Sequence, residues 1–133
     1  CASRVGQFAA RWGVNHLQPW LAGQRKEILQ RQSFLKRNFE ALERQGWELL
    51  GCGAYFAYVK HPFANSGVDL AQKLVAEAGI LCLPGDMFAP PGTPNAAKHL
   101  RLAFANIDQT NLKEMIIRLS NLTFQLAPDS SEA

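Results

Sequence analysis

The sequence predicts an α/β fold (α+β in stricter terms): a small mixed β-sheet covered by helices and preceded by a long connecting helix. Three observations carry that prediction. Leu21, Ile28, Leu35 and Leu42 recur every seven positions, with Phe39 on the same stripe, as the buried face of a helix requires. From Trp47 the apolar residues alternate instead, in WELLGCGAYFAYVKHP and again in KHLRLAFAN, the period of a half-buried strand. Two further helix-periodic stretches lie around residues 66–79 and 110–122.

Residues 3–13, SRVGQFAARWG, read as a short helix stopped by Gly13. The long helix starts near Pro19, whose missing N–H would find no partner in a first turn anyway, and runs to Gly46. About seven turns is long for a chain of this size, so part of its stripe is expected to rest on a neighbour. WELLGCGAYFAYVKHP reads as one strand with Gly51, Gly53, Tyr55 and Ala57 on one face, where glycines let a backbone or ligand come close. NSGVDLAQKLVAEAG starts a helix at Ser66 to Asp69, turns Leu70, Leu74 and Val75 inward and stops at Gly79. ILCL is a short buried strand, and Pro84-Gly85 is a turn, type II by preference. DMFAPPGTPNAA is a loop and HLRLAFA the last strand. Asp108 or Thr110 caps the closing helix TNLKEMIIRLSNL, with Leu112, Met115, Ile116 and Leu119 on its inner face. The expected division is a helical segment at 1–46, a small α/β domain at 47–127 and a disordered tail at 128–133.

At 133 residues, 47% hydrophobic and 19% charged, the chain has the makings of one soluble globular unit. No apolar run approaches the ~18 residues a bilayer-crossing helix needs, and the N-terminus lacks the order of a signal peptide. Because the first residue is Cys1, the chain is expected to be processed or a piece of something longer. Cys52 and Cys82 sit in apolar stretches as small hydrophobes, no C-x-x-C occurs, and His16, His61 and His99 are too scattered for zinc. A reducing, cytoplasmic setting is expected. The net charge of +3 comes from residues 25–44, where six bases stand among three acids. Interleaved acids favour a solvated helix face over a phosphate-tracking one, so no nucleic acid or membrane partner is expected.

Complete catalytic motifs are missing. There is no Gly-rich phosphate loop, no G-x-S-x-G and no carboxylate pair placed for acid–base work. Ser33-Phe34-Leu35-Lys36 matches S-x-x-K only formally, since Leu35 belongs to the buried stripe. GAYFAYV has neither the order nor the basic residue of an RNA-recognition strand. What stands out is Arg101, which shares a strand face with Ala103 and Ala105. A guanidinium among the smallest side chains has room above it, and it can grip a carboxylate through two parallel hydrogen bonds. From the residues alone, an exposed or internally paired arginine remains the plainer reading.

GAYFAYV, a helix, AGILCLPGDMF, HLRLAFAN and NLKEMIIRL occur in that order, behind VGQFAARWGV and a long basic helix. Together they resemble the C-terminal small domain of class I/II pyridoxal-phosphate aminotransferases of fold type I. The resemblance implies that Arg101 binds the α-carboxylate of an amino-acid substrate. It places Phe88, in PGDMF, near the substrate entrance, with a core anchor for the loop as the equal alternative; Tyr55 is a weaker third candidate. It also implies that the cofactor lysine, the aspartate facing the pyridine nitrogen and most phosphate ligands lie upstream, so no catalytic, cofactor-binding or metal-binding residue is expected in this chain. The parent protein would then be a pyridoxal 5'-phosphate enzyme moving an amino group between an amino acid and a 2-oxo acid, with a large N-terminal domain and a homodimeric assembly. The isolated chain is expected to hold no cofactor and to be inactive. MocR-type regulators, β-lyases and decarboxylating acyl transferases share the fold, and a free-standing carboxylate-binding module would need only Arg101. The residues do not separate these, nor do they name the amino acid.

Overall fold

A computed structural model describes residues 2–127; the tail expected at 128–133 lies outside them. Helix α1 is Arg4–His16 and runs through Gly13, ending instead at Leu17, whose N–H bonds the Gly13 carbonyl. A helical glycine costs only about 1 kcal/mol relative to alanine, so Gly13 does not have to be a stop. Helix α2, Gln18–Asn38, begins at once with Pro19 in its first turn. It loosens at Phe39 and rewinds as α3, Glu40–Glu43, before the chain leaves through Gly46 at φ 87°.

The stretch expected to be one strand is a hairpin. β1, Glu48–Gly53, and β2, Phe56–Lys60, are joined by Ala54 and Tyr55. Ala54 takes a φ of 48°, a region alanine rarely enters. The turn therefore lacks the Asn-Gly or Asp-Gly signal that announces such hairpins. A bulge between Leu49 and Gly51 shifts the phase again. Gly51 and Gly53 consequently pair with Tyr58 and Phe56, while Ala57 and Val59 turn into the core.

Helix α4, Gly67–Lys73, starts as expected: the Ser66 hydroxyl accepts the Asp69 N–H at 3.1 Å. Its last turn, Leu74–Ala78, widens to a π-turn and stops at Gly79, φ 64°. This leaves Val75 exposed rather than inward. Of ILCL only Leu83 joins a strand, as β3, Leu83–Pro84. Gly85 keeps a negative φ and opens a 3₁₀ turn, Gly85–Phe88, in place of a type II turn. β4 is His99–Ala103, and α5, Gln109–Ser120, is capped by the Asp108 carboxylate, which accepts the Asn111 N–H at 2.8 Å.

The sheet order is β1-β2-β4-β3 and every pairing is antiparallel. The α/β class stands, but the expected mixed sheet does not. A two-residue turn can join only antiparallel strands, and β4 runs against both of its neighbours.

One face of the sheet, with Ala57, Val59, Leu100 and Leu102, forms a single core with Leu35, Phe39, Leu42, Leu70, Leu74, Leu112 and Leu119. Expected core residues Met115 and Ile116 join it. The long stripe is buried only at its lower end: Leu35, Phe39 and Leu42 are enclosed, Ile28 is partly so and Leu21 is exposed. Helix α1 buries no residue, leaving Val5, Phe8, Trp12 and Val14 in the open. Among the described residues no helix is long and apolar enough to cross a membrane.

Candidate carboxylate-binding site

The alternation of β4 sends Leu100 and Leu102 into the core and Arg101 to the opposite face. Arg101 is paired with Tyr58 on one side and Leu83 on the other, so it stands on an inner strand with little backbone freedom. Its guanidinium carbon lies 4.1 Å from the centre of the Phe56 ring and 4.0 Å from that of Phe88. Phe56 pairs with Ala103, one step diagonally from Arg101, where a side chain no larger than methyl leaves room for the ring. Phe88 arrives from the end of the 3₁₀ turn. Arg31, Arg44, Lys60 and Arg118 each have an acidic partner; among the described residues Arg101 has none, nor any side-chain hydrogen bond. A guanidinium offers only donors, so its N–H groups are available to an anion.

Beside it opens a cavity of about 460 Å³, walled by Phe56, Ile80, Leu83, Ala103 and Met115. Glu114 and Arg118, paired at 2.9 Å, also line it. The turn bearing Phe88 is pressed against the sheet at Gly85. A Cβ there would come within 2.6 Å of the Ala96 carbonyl oxygen and 2.7 Å of the Tyr58 hydroxyl. By contrast, a Cβ at Gly51 or Gly53 would meet nothing within 4 Å, so the sheet face beside the site is open.

Several ties hold the frame. Arg31 donates to the Ala105 carbonyl just past β4 and pairs with Glu27. Gln32 donates to the Cys52 carbonyl at 2.8 Å, fastening α2 to β1. The Lys98 ammonium donates to the carbonyls of Phe63, Ala64 and Asn65 at 2.9, 3.0 and 3.2 Å, clamping the entry to β4 onto the loop after β2.

Burial, and then the Lys98 charge, lower His61 to about 4. Burial also lowers His99, with Lys60 adding to the effect. Both histidines are therefore neutral near pH 7. Burial pushes the Cys82 thiol up to about 11 and raises that of Cys52, against the weaker pull of Lys36 and Gln32. Neither thiol is an activated nucleophile, which agrees with reading both as small hydrophobes.

The structure thus brings Arg101 and Phe88 together. Tyr55 sits in the hairpin turn, its ring edge-on to Phe56 at 6.3 Å, one ring removed from the guanidinium. Sequence reading missed Phe56, because treating β1 and β2 as one strand gave its face the wrong phase. The available signal was the alternation of Phe56 and Tyr58 with Ala57 and Val59.

The sequence matches the family pattern of aminotransferase class I and II over residues 1–119. Among solved structures, an aminotransferase from Staphylococcus aureus is 25% identical, with a TM-score of 0.67 over 86% of this chain and 28% of its own. A PLP-dependent aminotransferase from Streptococcus suis is 23% identical, with a TM-score of 0.70 over 90% and 30%. An α-aminoadipate aminotransferase from Thermus thermophilus, solved with N-(5'-phosphopyridoxyl)-L-leucine, is 20% identical, with a TM-score of 0.61 over 72% and 24%. The chain therefore spans less than a third of the structures it matches. No curated protein is significantly similar to it. With the family pattern running through residues 1–119 and the same fold in these neighbours, the chain belongs to the class I and II aminotransferases.

Proposed function

We propose that this chain is the C-terminal part of a pyridoxal 5'-phosphate aminotransferase that moves an amino group between an amino acid and a 2-oxo acid, and that Arg101 holds the substrate α-carboxylate. The observation that carries the reading is Arg101 itself: fixed on an inner strand, beside a cavity, without an acidic partner among the described residues. The cofactor supplies the carbonyl that takes up and returns the amino group. No lysine is among the residues lining the cavity beside Arg101, which is in keeping with a cofactor held elsewhere. The groups that hold it belong, on this reading, to polypeptide beyond these residues. Residues 1–46 form the link to that polypeptide and 47–127 the small domain. The bare apolar faces of α1 and upper α2 support further packing there, with Val5, Phe8, Trp12 and Leu21 exposed. The whole protein is a cytoplasmic homodimer in this proposal.

The test uses the full-length protein. Arg101→Ala removes a charge-assisted pair of hydrogen bonds worth about 3 kcal/mol, so kcat/KM for the amino acid falls roughly 100-fold. Arg101→Lys recovers only part, lacking the fork. An unchanged kcat/KM in Arg101→Ala refutes the role. The 133-residue chain alone, given cofactor, amino acid and 2-oxo acid, shows no transamination above free cofactor; enzyme-level turnover refutes the division of labour.

A further inference from the structure

We propose that Phe56 and Phe88 are positioning residues that together set the plane and reach of the Arg101 guanidinium, so that carboxylate recognition depends on the turn carrying Phe88. The proposal rests on the reading of Arg101 given above and adds the residues that make that arginine usable. An arginine with no acidic partner and no side-chain hydrogen bond would ordinarily wander through its rotamers. Here two rings lie about 4 Å from its central carbon. They cover it with apolar surface, favour the cation electrostatically, and leave the N–H edges as the part open to a ligand. A carboxylate meets those edges in the guanidinium plane.

The two rings are anchored unequally. Phe56 sits on β2 directly before Ala57, which is fully buried, so its backbone moves only with the core. Phe88 ends a turn whose first residue, Gly85, is buried, while Met87 and Phe88 are 64% and 44% exposed. Phe56 is thus the fixed half of the clamp and Phe88 the half that can leave. A ring serving only to cover the sheet would be replaceable by leucine. A ring acting on the guanidinium through its π face would not, whereas tyrosine would serve.

The experiment uses the full-length protein and the best amino-acid substrate found by screening the twenty common amino acids for half-transamination. KM and kcat are measured for Phe88→Leu, Phe88→Tyr, Phe56→Leu and Arg101→Ala. Reactivity of Arg101 toward phenylglyoxal is followed in parallel by peptide mass mapping. The expected result is a rise in KM of roughly 3- to 30-fold in both leucine variants, from the usual size of a cation–π contact, with kcat changed far less. Phe88→Tyr restores KM to within about twofold, and Arg101 is modified faster in the leucine variants than in wild type. Phe88 is exposed, so its variants fold and decide the matter even where Phe56→Leu does not. Wild-type KM and labelling in Phe88→Leu overturn the clamp while a raised KM in Arg101→Ala leaves the carboxylate reading standing. An unchanged KM in Arg101→Ala overturns both.

Discussion

Replacing Gly85 by alanine tests whether the turn carrying Phe88 is held against the sheet by close packing. The added Cβ would lie 2.6 Å from the Ala96 carbonyl oxygen, 2.6 Å from the His99 Cβ and 2.7 Å from the Tyr58 hydroxyl oxygen. Two of these atoms belong to or adjoin the backbone and cannot swing aside as a long side chain would. Overpacking of this kind costs about 1–3 kcal/mol, and rigid neighbours put Gly85→Ala near the upper end. For a chain of 133 residues, about 3 kcal/mol corresponds to a fall in Tm of roughly 10 °C. Gly51→Ala is the control. It adds the same methyl group where nothing lies within 4 Å, and it replaces a strand glycine, so stability is unchanged or rises by up to about 1 kcal/mol. The two variants are melted side by side, followed by circular dichroism. A Tm for Gly85→Ala within about 2 °C of wild type, or an equal fall in Gly51→Ala, refutes the packing argument.

Three further outcomes follow from particular contacts. His61 titrates at about 4 when folded against 6.5 when free, so the unfolded chain takes up the proton first. Stability is therefore complete above about pH 6.5 and falls by about 3 kcal/mol as pH drops toward 4; His61→Leu should flatten this limb in urea titrations at pH 7.5 and 4.5, and an equally steep limb assigns the loss elsewhere. Lys98→Met strips three carbonyls of their donor and should cost about 2 kcal/mol in urea denaturation, with faster amide exchange at Ala64; wild-type stability and exchange would show the clamp to be idle. Ala54→Gly relieves a non-glycine residue at φ 48° and should raise stability by about 1 kcal/mol, whereas a loss would mean that Ala54 contributes packing that outweighs its strain.

Features whose cause lies within a few residues could be read directly from the chain. Ser66 followed by Asp69 starts α4, and Gly79 ends it, because a hydroxyl cap and a left-handed stop act locally. The period of two around Arg101 and the spacing of Leu112, Met115, Ile116 and Leu119 correctly assigned a face to β4 and α5. The outward face of Arg101 was legible from the alternation of its own strand, but the room its alanine neighbours implied is taken by the rings of Phe56 and Phe88. Tertiary structure decided whatever needed residues distant in the chain. The hairpin at Ala54 carries no turn signature; pairing of β1 and β2 with the sheet, and the Phe104 N–H bonded to the Tyr55 carbonyl at 3.0 Å, hold it in a conformation alanine would not choose. The same fold-back turned Phe56 toward Arg101, and the tight seat of Gly85 brought Phe88 to the other ring position. Pairing direction and the meeting of residues 56, 88 and 101 depend on which strands lie side by side. That is settled by burying one common apolar face, a sum over the whole core that no local pattern contains.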